Sequence, residues 1–219
     1  MFEHLKRALA TLLVAGGASA GAIYFARSME GSELKAYPDP GMGWELPTIC
    51  VGHTRGVRRG DTATPEQCDA YLKADLEEAA KPLANCIRRP LARDEFEALV
   101  DFNFNTGAAC RSAPVAAINA GKSCDEIADA FYIKAPIQEL CLVRDPDSKK
   151  CLKRAPNIYA GKPITDSKGR VLLAPGDPIR QYTTGSLKPL KGLIIRRFAE
   201  GEKYRSACKA ADAEERKKP

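Results

Sequence analysis

Closely spaced cysteine pairs, the usual mark of a structural metal site, are missing from this sequence. Its eight cysteines are dispersed, none lies in the first 49 residues, and no C-x2-C pair occurs. This spacing argues against a metal site, and we expect neither a metal ion nor an organic cofactor. An even, dispersed set is typical of disulfide-bonded proteins that fold in oxidising compartments, although eight reduced core thiols would give the same count.

Charge is missing from residues 8–26, "ALATLLVAGGASAGAIYFA". A helix of these 19 residues would span roughly 28 Å, about the thickness of the hydrocarbon core of a bilayer. Because 12 of the 19 residues are Ala, Gly, Ser or Thr, they bury little apolar area, and insertion is only weakly favoured. Basic residues at positions 6 and 7 predict that the N-terminus stays in the cytoplasm and that the rest is exported.

Two fates for this segment remain open. The small residues 18–20, "ASA", fit a signal-peptidase site, in which case the run would be removed. Alternatively, residues 1–27 form an uncleaved signal-anchor that is marginal enough to leave the bilayer. Both alternatives export the remainder of the chain to the periplasm, which agrees with the cysteine count.

Acidic and basic residues are distributed unevenly along the 219 residues. Residues 1–140 carry 15 basic and 19 acidic side chains, which is −4, whereas residues 141–219 carry 19 and 9, which is +10. A basic C-terminal third would suit an anionic partner such as phospholipid, nucleic acid or a cell-wall polymer, but an ordinary solvated basic surface is the preferred explanation. The length fits one domain with an appendage, and no internal repeat occurs.

Hydrophobic periodicity and capping residues predict a chain that is mainly helical after residue 64. The predicted helices cover residues 64–87, 92–107, 112–121, 123–133 and 189–208. Beyond them, a charged tail at 209–219 is expected to fray.

The remaining segments are predicted to be less regular. We expect a short helix over residues 28–37, with Ser28 as its N-cap, and a small β-hairpin region within residues 38–63. Residues 135–190 are rich in Pro and Gly, and are predicted to form an insertion of loops and short strands.

Three ordered motifs carry the functional signal: "EGSELKAYPD…TICVGHT" from Glu30 to Thr54, then "ALVDFNFNTGA", then "LKGLIIRRFAE". Two carboxylates such as Glu30 and Asp39 can serve a glycosidase if they face each other, but alone they are a weak signal. The three motifs together resemble those of the phage-type lysozymes, glycoside hydrolase family 24, from Glu30 to about Cys208 with a gap over the insertion. The resemblance implies an α+β fold, mainly α-helical and lysozyme-like, with a small β-hairpin lobe beside the active-site cleft and an N-terminal membrane-type helix.

The resemblance also implies residue roles. Glu30 would be the general acid, Asp39 would position or activate the attacking water, and Thr48 would help to hold that water. The reaction would be hydrolysis, with inversion, of the β-1,4 bond between N-acetylmuramic acid and N-acetylglucosamine, which needs carboxyl groups ~6.5–9.5 Å apart. Asn105 and Ser112 match cleft-lining positions of the family and are expected to contact substrate, with core packing or helix capping as the alternative; Trp44 is expected to contact substrate as well, although it lies where the sequence departs from the family.

The sequence departs from the family in the loop between Asp39 and Thr48, which is longer than usual at eight residues. This loop contains Trp44, a candidate platform for sugar stacking, and Glu45, a rival for the role of Asp39. Glu33, one helical turn beyond the predicted acid, is expected to be solvated rather than catalytic.

Other residues of the motifs have alternative interpretations. Cys50 and His53 suggest a thiol nucleophile, but a disulfide for Cys50 and a hydrogen bond from His53 to a neighbouring acid are preferred. Arg196 and Arg197 are expected either to orient the catalytic acid or to pair with Glu200.

Eight cysteines allow 105 pairings, so the sequence alone does not assign the disulfides. Spacing and the layout of the resembling family favour four pairs, of which three close local loops and one fastens the terminal helix. The favoured pairs are Cys50–Cys68, Cys86–Cys110, Cys124–Cys208 and Cys141–Cys151.

The apolar run ends shortly before Glu30, an arrangement that resembles the signal–arrest–release endolysins. While the run stays in the bilayer, Glu30 would be held at the membrane and could not face Asp39; collapse of the membrane potential would release it. The anchor contains no cysteine, so control by thiol exchange with the anchor is not expected.

The predicted organisation is a signal-anchor at 1–27, a catalytic domain at 28–208 that includes the insertion, and the tail at 209–219. The expected partners are peptidoglycan and, before release, the inner membrane. We expect no nucleic acid partner and a monomeric state. The alternatives are a non-catalytic peptidoglycan-binding protein, a membrane-active lysis protein, and an enzyme for another glycan such as chitin.

Overall fold

The structure is a computed structural model. It describes residues 23, 25–28, 32–39, 42–181, 183–185 and 188–216. Glu30 and most of the predicted anchor lie outside the described residues. Within those ranges, no helix is both long enough and apolar enough to cross a bilayer.

The chain forms a β-hairpin, a set of helices, an insertion of short hairpins, and a long closing helix. The helices are α1 (Pro65–Ala80), α2 (Leu83–Cys86), α3 (Arg93–Thr106), α4 (Ala113–Asn119), α5 (Cys124–Phe131) and α6 (Lys191–Glu215), with a 3-10 turn at Ala109–Arg111. The strands are β1 (Glu33–Asp39), β2 (Gly43–Cys50), β3 (Glu139–Arg144), β4 (Cys151–Pro156), β5 (Ile164–Thr165), β6 (Val171–Leu173), β7 (Thr184–Gly185) and β8 (Lys188–Pro189). The strands pair in sequence order as antiparallel hairpins, so the described chain is α+β and mainly helical, as predicted.

The short helix predicted over residues 28–37 is wrong. Ser28 lies at the end of a helical turn rather than at the start of one, and its hydroxyl donates to the carbonyl oxygen of Phe25 at 2.7 Å. Downstream of it the described chain is extended, beginning with β1.

At the C-terminal end of β1, Tyr37 and Asp39 each precede a proline in the sequence, which favours the extended conformation there. The proline ring clashes with the residue before it and disfavours the helical conformation there. β1 then pairs with β2, with Tyr37 opposite Thr48. The hairpin expected within residues 38–63 therefore exists, but its first strand begins earlier, at Glu33.

Capping chemistry sets the bounds of the predicted helices. Thr64 and Gln67 form the expected capping box at the start of α1, with hydrogen bonds of 2.8 and 3.2 Å. The helix predicted over residues 64–87 is divided between α1 and α2, and Pro82, which lacks an N–H, lies at the break. Helix α3 ends at Gly107, whose left-handed conformation (φ 60°) favours glycine.

Helix α6 is longer than predicted. Its 25 residues extend to Glu215, so most of the charged segment at 209–219 is helical rather than frayed. α6 packs closely on α5 at Gly201, where a Cβ atom would lie 2.6 Å from the carbonyl oxygen of Ala128. A larger residue there would force the two helices apart.

The main core surrounds α3, which is buried from Glu95 to Asn103. The end of the predicted anchor belongs to this core. Ala26 is fully buried in it. Arg27 pairs with Asp69, on α1.

Four disulfides fasten the described elements to one another, and they are the four pairs favoured above. They are Cys50–Cys68, Cys86–Cys110, Cys124–Cys208 and Cys141–Cys151. The first ties β2 to α1, the third ties α5 to α6, and the fourth closes the β3–β4 hairpin.

Candidate active-site cleft

A cleft of about 550 Å³ lies between the β1–β2 hairpin and the C-terminal end of α3. The residues that line it are Glu33, Tyr37, Asp39, Thr48, Gly52, Thr54, Phe104 and Asn105. A second depression shares Gly52, Thr54 and Phe104 with this cleft and continues to Asp75 and Glu78 on α1. The two depressions are neighbours at Phe104.

Strand geometry brings the acidic residues of the hairpin to one side. Glu33, Tyr37 and Asp39 are separated by even numbers of residues on β1, which in a regular strand places side chains on one face, and all three line the cleft despite register shifts on either side of Tyr37. Burial, followed by the charges of Asp39 and Glu33, raises the pKa of Tyr37 above its ordinary value of 10.0, so its phenol stays neutral. The cleft thus holds two carboxyl groups and a phenol on a single strand.

Asp39 and Thr48 are held by the hairpin backbone. Asp39 Oδ1 accepts a hydrogen bond of 2.8 Å from the backbone N–H of Met42, which fixes the carboxylate at the turn. Thr48 is buried, and its hydroxyl donates to the carbonyl oxygen of Leu46 at 3.1 Å. Because a hydroxyl has two lone pairs, Thr48 can still accept a hydrogen bond after donating its proton.

The side of the cleft formed by α3 is held in place by hydrogen bonds and ion pairs of buried charged residues. The Oδ1 atom of Asn105 accepts a hydrogen bond of 2.8 Å from Nη2 of Arg197, which is fully buried. The Arg197 guanidinium lies over the ring of Phe102 at 4.6 Å and pairs with Glu200 at 2.8 Å. The neighbouring Arg196 donates to both carboxyl oxygens of Asp101, at 3.2 and 2.8 Å.

The buried carboxyl groups Asp101 and Glu200 share this environment with the two arginines. Burial, followed by the Glu200 carboxylate, raises the pKa of Asp101 from 3.8 to about 9. Burial lowers the pKa of Arg196 to about 10. The raised pKa favours the protonated form of Asp101, which relieves the repulsion between two carboxylates in a low dielectric, whereas the two hydrogen bonds from Arg196 favour the ionised form.

The raised pKa of Asp101 predicts a pH-dependent stability. A carboxyl that binds its proton more tightly in the folded state favours folding at low pH, and loses that advantage as pH rises from 3.8 to about 9. Asp101→Asn mimics the protonated acid at every pH. Between pH 5 and 8, its free energy of unfolding should rise relative to wild type by up to about 1.4 kcal/mol per pH unit. Guanidinium unfolding at several pH values measures this difference.

Glu126→Gln is the matched control for that experiment. Hydrogen bonds from Ser123 hold the pKa of the exposed Glu126 down at about 2, so it does not titrate in this window. The difference in free energy of unfolding between Glu126→Gln and wild type should not change with pH. If the difference for Asp101→Asn is equally constant, the raised pKa of Asp101 is contradicted.

Comparisons with known proteins identify the family of this chain. The phage lysozyme family model matches residues 27–136, half of the chain. The endolysin of Salmonella phage P22 is 35% identical over 111 residues, which is 48% of this chain and 73% of that protein. The chain belongs to the phage lysozyme family.

Two further comparisons concern a relative in sequence and a similar structure. The SAR-endolysin of Pseudomonas phage phiKMV is 39% identical over 98 residues, or 45% of this chain; the chain spans 59% of that protein's length. The muramidase domain of SpmX from Asticaccaulis excentricus has a TM-score of 0.55 at 23% identity, covering 85% of this chain and 95% of that domain. The second likeness shows that the described part has a lysozyme-like fold.

The fold brings some of the predicted site residues together in the cleft and leaves others outside it. Asp39, Thr48 and Asn105 line the cleft, whereas Glu30 lies outside the described residues. Ser112 does not line it: it is buried at the N-cap position of α4, where its hydroxyl donates to the carbonyl oxygen of Ala109 at 2.6 Å. The structure therefore favours the packing alternative for Ser112.

The described residues of the longer hairpin tip, from Met42 to Pro47, do not line the cleft. Trp44 is half-exposed, and the Arg59 guanidinium lies 4.8 Å from its ring centroid. Glu45 is exposed and does not line the cleft either, which weakens it as a rival to Asp39.

The thiol-nucleophile alternative is wrong, because Cys50 is bonded to Cys68. His53 has the structural environment expected for it: Nδ1 is 2.7 Å from Asp75, Nε2 is 3.0 Å from the Arg55 carbonyl oxygen, and the ring stacks on Tyr71. Within the described ranges, one group has the spacing of metal ligands: Cys124, Cys208 and Asp212. Its two sulfur atoms are joined in a disulfide and are not thiolate ligands.

Sequence reasoning missed Glu33, which lines the cleft although it was expected to be merely solvated. The error follows from the helix predicted for this segment, where Glu33 would lie one turn from Glu30. In a strand, the alternation of Glu33, Tyr37 and Asp39 on one face is the signal that would have found it.

Proposed function

We propose that this chain is an exported endolysin that hydrolyses the β-1,4 bond between N-acetylmuramic acid and N-acetylglucosamine in peptidoglycan. The observation that carries the proposal is that Asp39 and Thr48 of the first motif and Asn105 of the second line one cleft. Membership of the phage lysozyme family and the endolysin names of its relatives support the same activity.

In this mechanism the hairpin activates water. The Thr48 hydroxyl donates a hydrogen bond to the carbonyl oxygen of Leu46, so its lone pairs are left to accept one hydrogen of a cleft water. Asp39, fixed by the Met42 N–H, accepts the other and acts as the base. The oxygen of the water then attacks the anomeric carbon from the face opposite the leaving sugar, which inverts its configuration.

Glu30 is the proposed general acid that protonates the departing glycosidic oxygen. Its side chain lies outside the described residues, and the argument for it is the first motif together with covalent reach. Glu30 is three positions before Glu33, and an extended chain covers at most about 11 Å over three residues. Glu30 is therefore within reach of the cleft that Glu33 lines.

Trp44 and Asn105 are proposed to contact the glycan. Asn105 presents a side-chain amide to the cleft and is oriented by Arg197. Trp44 extends the hairpin wall with an aromatic face at the tip, beside the pairing of Asp39 with Gly43.

Analysis of the reaction products tests the bond and the stereochemistry. Digestion of purified peptidoglycan should release fragments that end in reducing N-acetylmuramic acid, identified by mass spectrometry after borohydride reduction. Proton NMR of the fresh products should show the α-anomer first. Reducing N-acetylglucosamine, an anhydro product, or equal cleavage of chitin oligomers would each contradict the proposed reaction.

The proposal includes a membrane-tethered state that precedes activity, in which residues 1–27 hold the exported chain at the inner membrane. The SAR-endolysin relative supports it. So does Ala26, because a residue buried in the core of the domain cannot lie in a bilayer at the same time. Release of the segment and completion of the core are then the same event. N-terminal sequencing of the periplasmic protein distinguishes this route from signal-peptide cleavage, since release leaves residue 1 in place.

A further inference from the structure

The β3–β4 hairpin exposes aliphatic side chains that the fold does not use. Leu142, Val143 and Leu152 are 56%, 46% and 62% exposed. A two-stranded hairpin is marginal in water unless it packs on something, and this one is instead closed by the Cys141–Cys151 disulfide. The disulfide supplies the rigidity that a core would otherwise give, so these side chains remain at the surface.

Basic residues are interleaved with the exposed aliphatic ones. The segment 139–156 carries five basic and three acidic residues, a net charge of +2, and the insertion at 135–190 carries +5 of the chain's total of +6. Lys153 lies opposite Val143 in the strand register. Among the three acidic residues of this segment, Asp145 accepts hydrogen bonds from the backbone N–H groups of Asp147 and Ser148 in the turn. These hydrogen bonds stabilise its negative charge within the hairpin.

This combination fits the surface of an anionic bilayer better than it fits a glycan. Aliphatic side chains enter the boundary between headgroups and acyl chains, while lysines beside them attract anionic headgroups. Sugar-binding surfaces rely on aromatic faces, and the segment 139–156 contains no aromatic residue. An acidic polymer would use the lysines but would leave Leu142, Val143 and Leu152 in water.

We propose that the β3–β4 hairpin is a docking surface for membranes that contain anionic phospholipid. Leu142 and Leu152 lie at intervening positions of the two strands and enter the interface, while Val143 and the basic side chains lie beside them, with the basic groups binding the headgroups. The surface is separate from the cleft and does not depend on the proposed hydrolysis. In the exported protein it would hold the folded domain beside the bilayer without its N-terminal run.

A tryptophan placed on the hairpin tests this contact in the full-length protein. Trp44 is the single tryptophan of the chain, so Trp44→Phe with Leu152→Trp gives a probe that reports only on the hairpin. Its fluorescence should shift to the blue with phosphatidylglycerol–phosphatidylcholine vesicles, and brominated lipid chains should quench it. The matched control is Trp44→Phe with Val171→Trp, which places the probe at another exposed strand position outside the hairpin. No shift at Leu152→Trp, or an equal shift at both positions, overturns the proposal.

Removing positive charge from the hairpin gives a second test of its binding to anionic vesicles. Lys150→Gln with Lys153→Gln should lower partition onto the same vesicles by about 30-fold, at the attraction typical of a basic residue near an anionic surface. Lys73→Gln with Lys122→Gln removes the same charge from exposed positions outside the insertion, one on α1 and one in the loop before α5, and should leave partition nearly unchanged. The N-terminal run is present in all variants, so its contribution cancels in these ratios. If the hairpin variant instead binds vesicles normally but loses binding to purified cell-wall sacculi, the surface recognises the wall polymer and the membrane proposal is wrong.

Discussion

Glu30→Gln should lower the rate of peptidoglycan hydrolysis by about 10²- to 10⁴-fold while leaving the fold intact. Glutamine keeps the size and polarity of the side chain but has no proton to give to the leaving oxygen, and general acid catalysis typically contributes an effect of this size. The initial rate of digestion of purified sacculi measures the loss. Circular dichroism and thermal unfolding of the same samples separate a catalytic defect from misfolding.

Glu33→Gln is the matched control. It changes the same group to the same amide three residues away, at a position that lines the cleft. We expect it to keep most of the wild-type rate, because Glu33 has no assigned step in the mechanism. The opposite result, an inactive Glu33→Gln and an active Glu30→Gln, would move the acid role to Glu33 and refute the motif-based assignment.

Removal of the Cys124–Cys208 disulfide should lower the free energy of unfolding by about 4.5 kcal/mol. The bond joins residues 84 positions apart. In the chain-entropy description, a cross-link over a long loop restricts the unfolded chain more than one over a short loop. Both cysteines are buried where α5 meets α6, so the double alanine variant also loses packing. Guanidinium unfolding of Cys124→Ala with Cys208→Ala measures the change.

The comparison variant is Cys141→Ala with Cys151→Ala. Its bond spans 10 positions, and the same relation predicts a loss of about 2.7 kcal/mol. The difference between the two double variants, about 2 kcal/mol, depends mainly on loop length. A larger loss from the short-loop pair would show that the insertion, rather than the terminal helix, limits the stability of the domain.

The sequence determined the helices with clear chemical boundaries. The Thr64–Gln67 capping box, the Gly107 terminus of α3 and the apolar spacing of α6 are local features, and the elements formed where those features predicted them. Local signals sufficed because a cap or a glycine terminus is satisfied by hydrogen bonds within a few residues. The motifs also led to the correct family and to three residues that line the cleft.

Local propensity failed over residues 28–37, where pairing with a second strand competes with helix formation. The strand β1 depends on β2 across the turn, and a partner that lies ten or more residues away leaves no periodic signal in the segment itself. Because of the same error, Glu33 and Tyr37 were not predicted to line the cleft, which they do as residues of a strand.

The sequence by itself determined the family, its three motifs, the charge imbalance and most helices, because each of these depends on residue types at short spacing. Only the tertiary structure decided that Ser112 is buried away from the cleft lining, that Arg197 supports Asn105, and that the pKa of Asp101 is raised. Those outcomes depend on burial and on partners from distant parts of the chain. The low dielectric that they create exists only after the helices have packed.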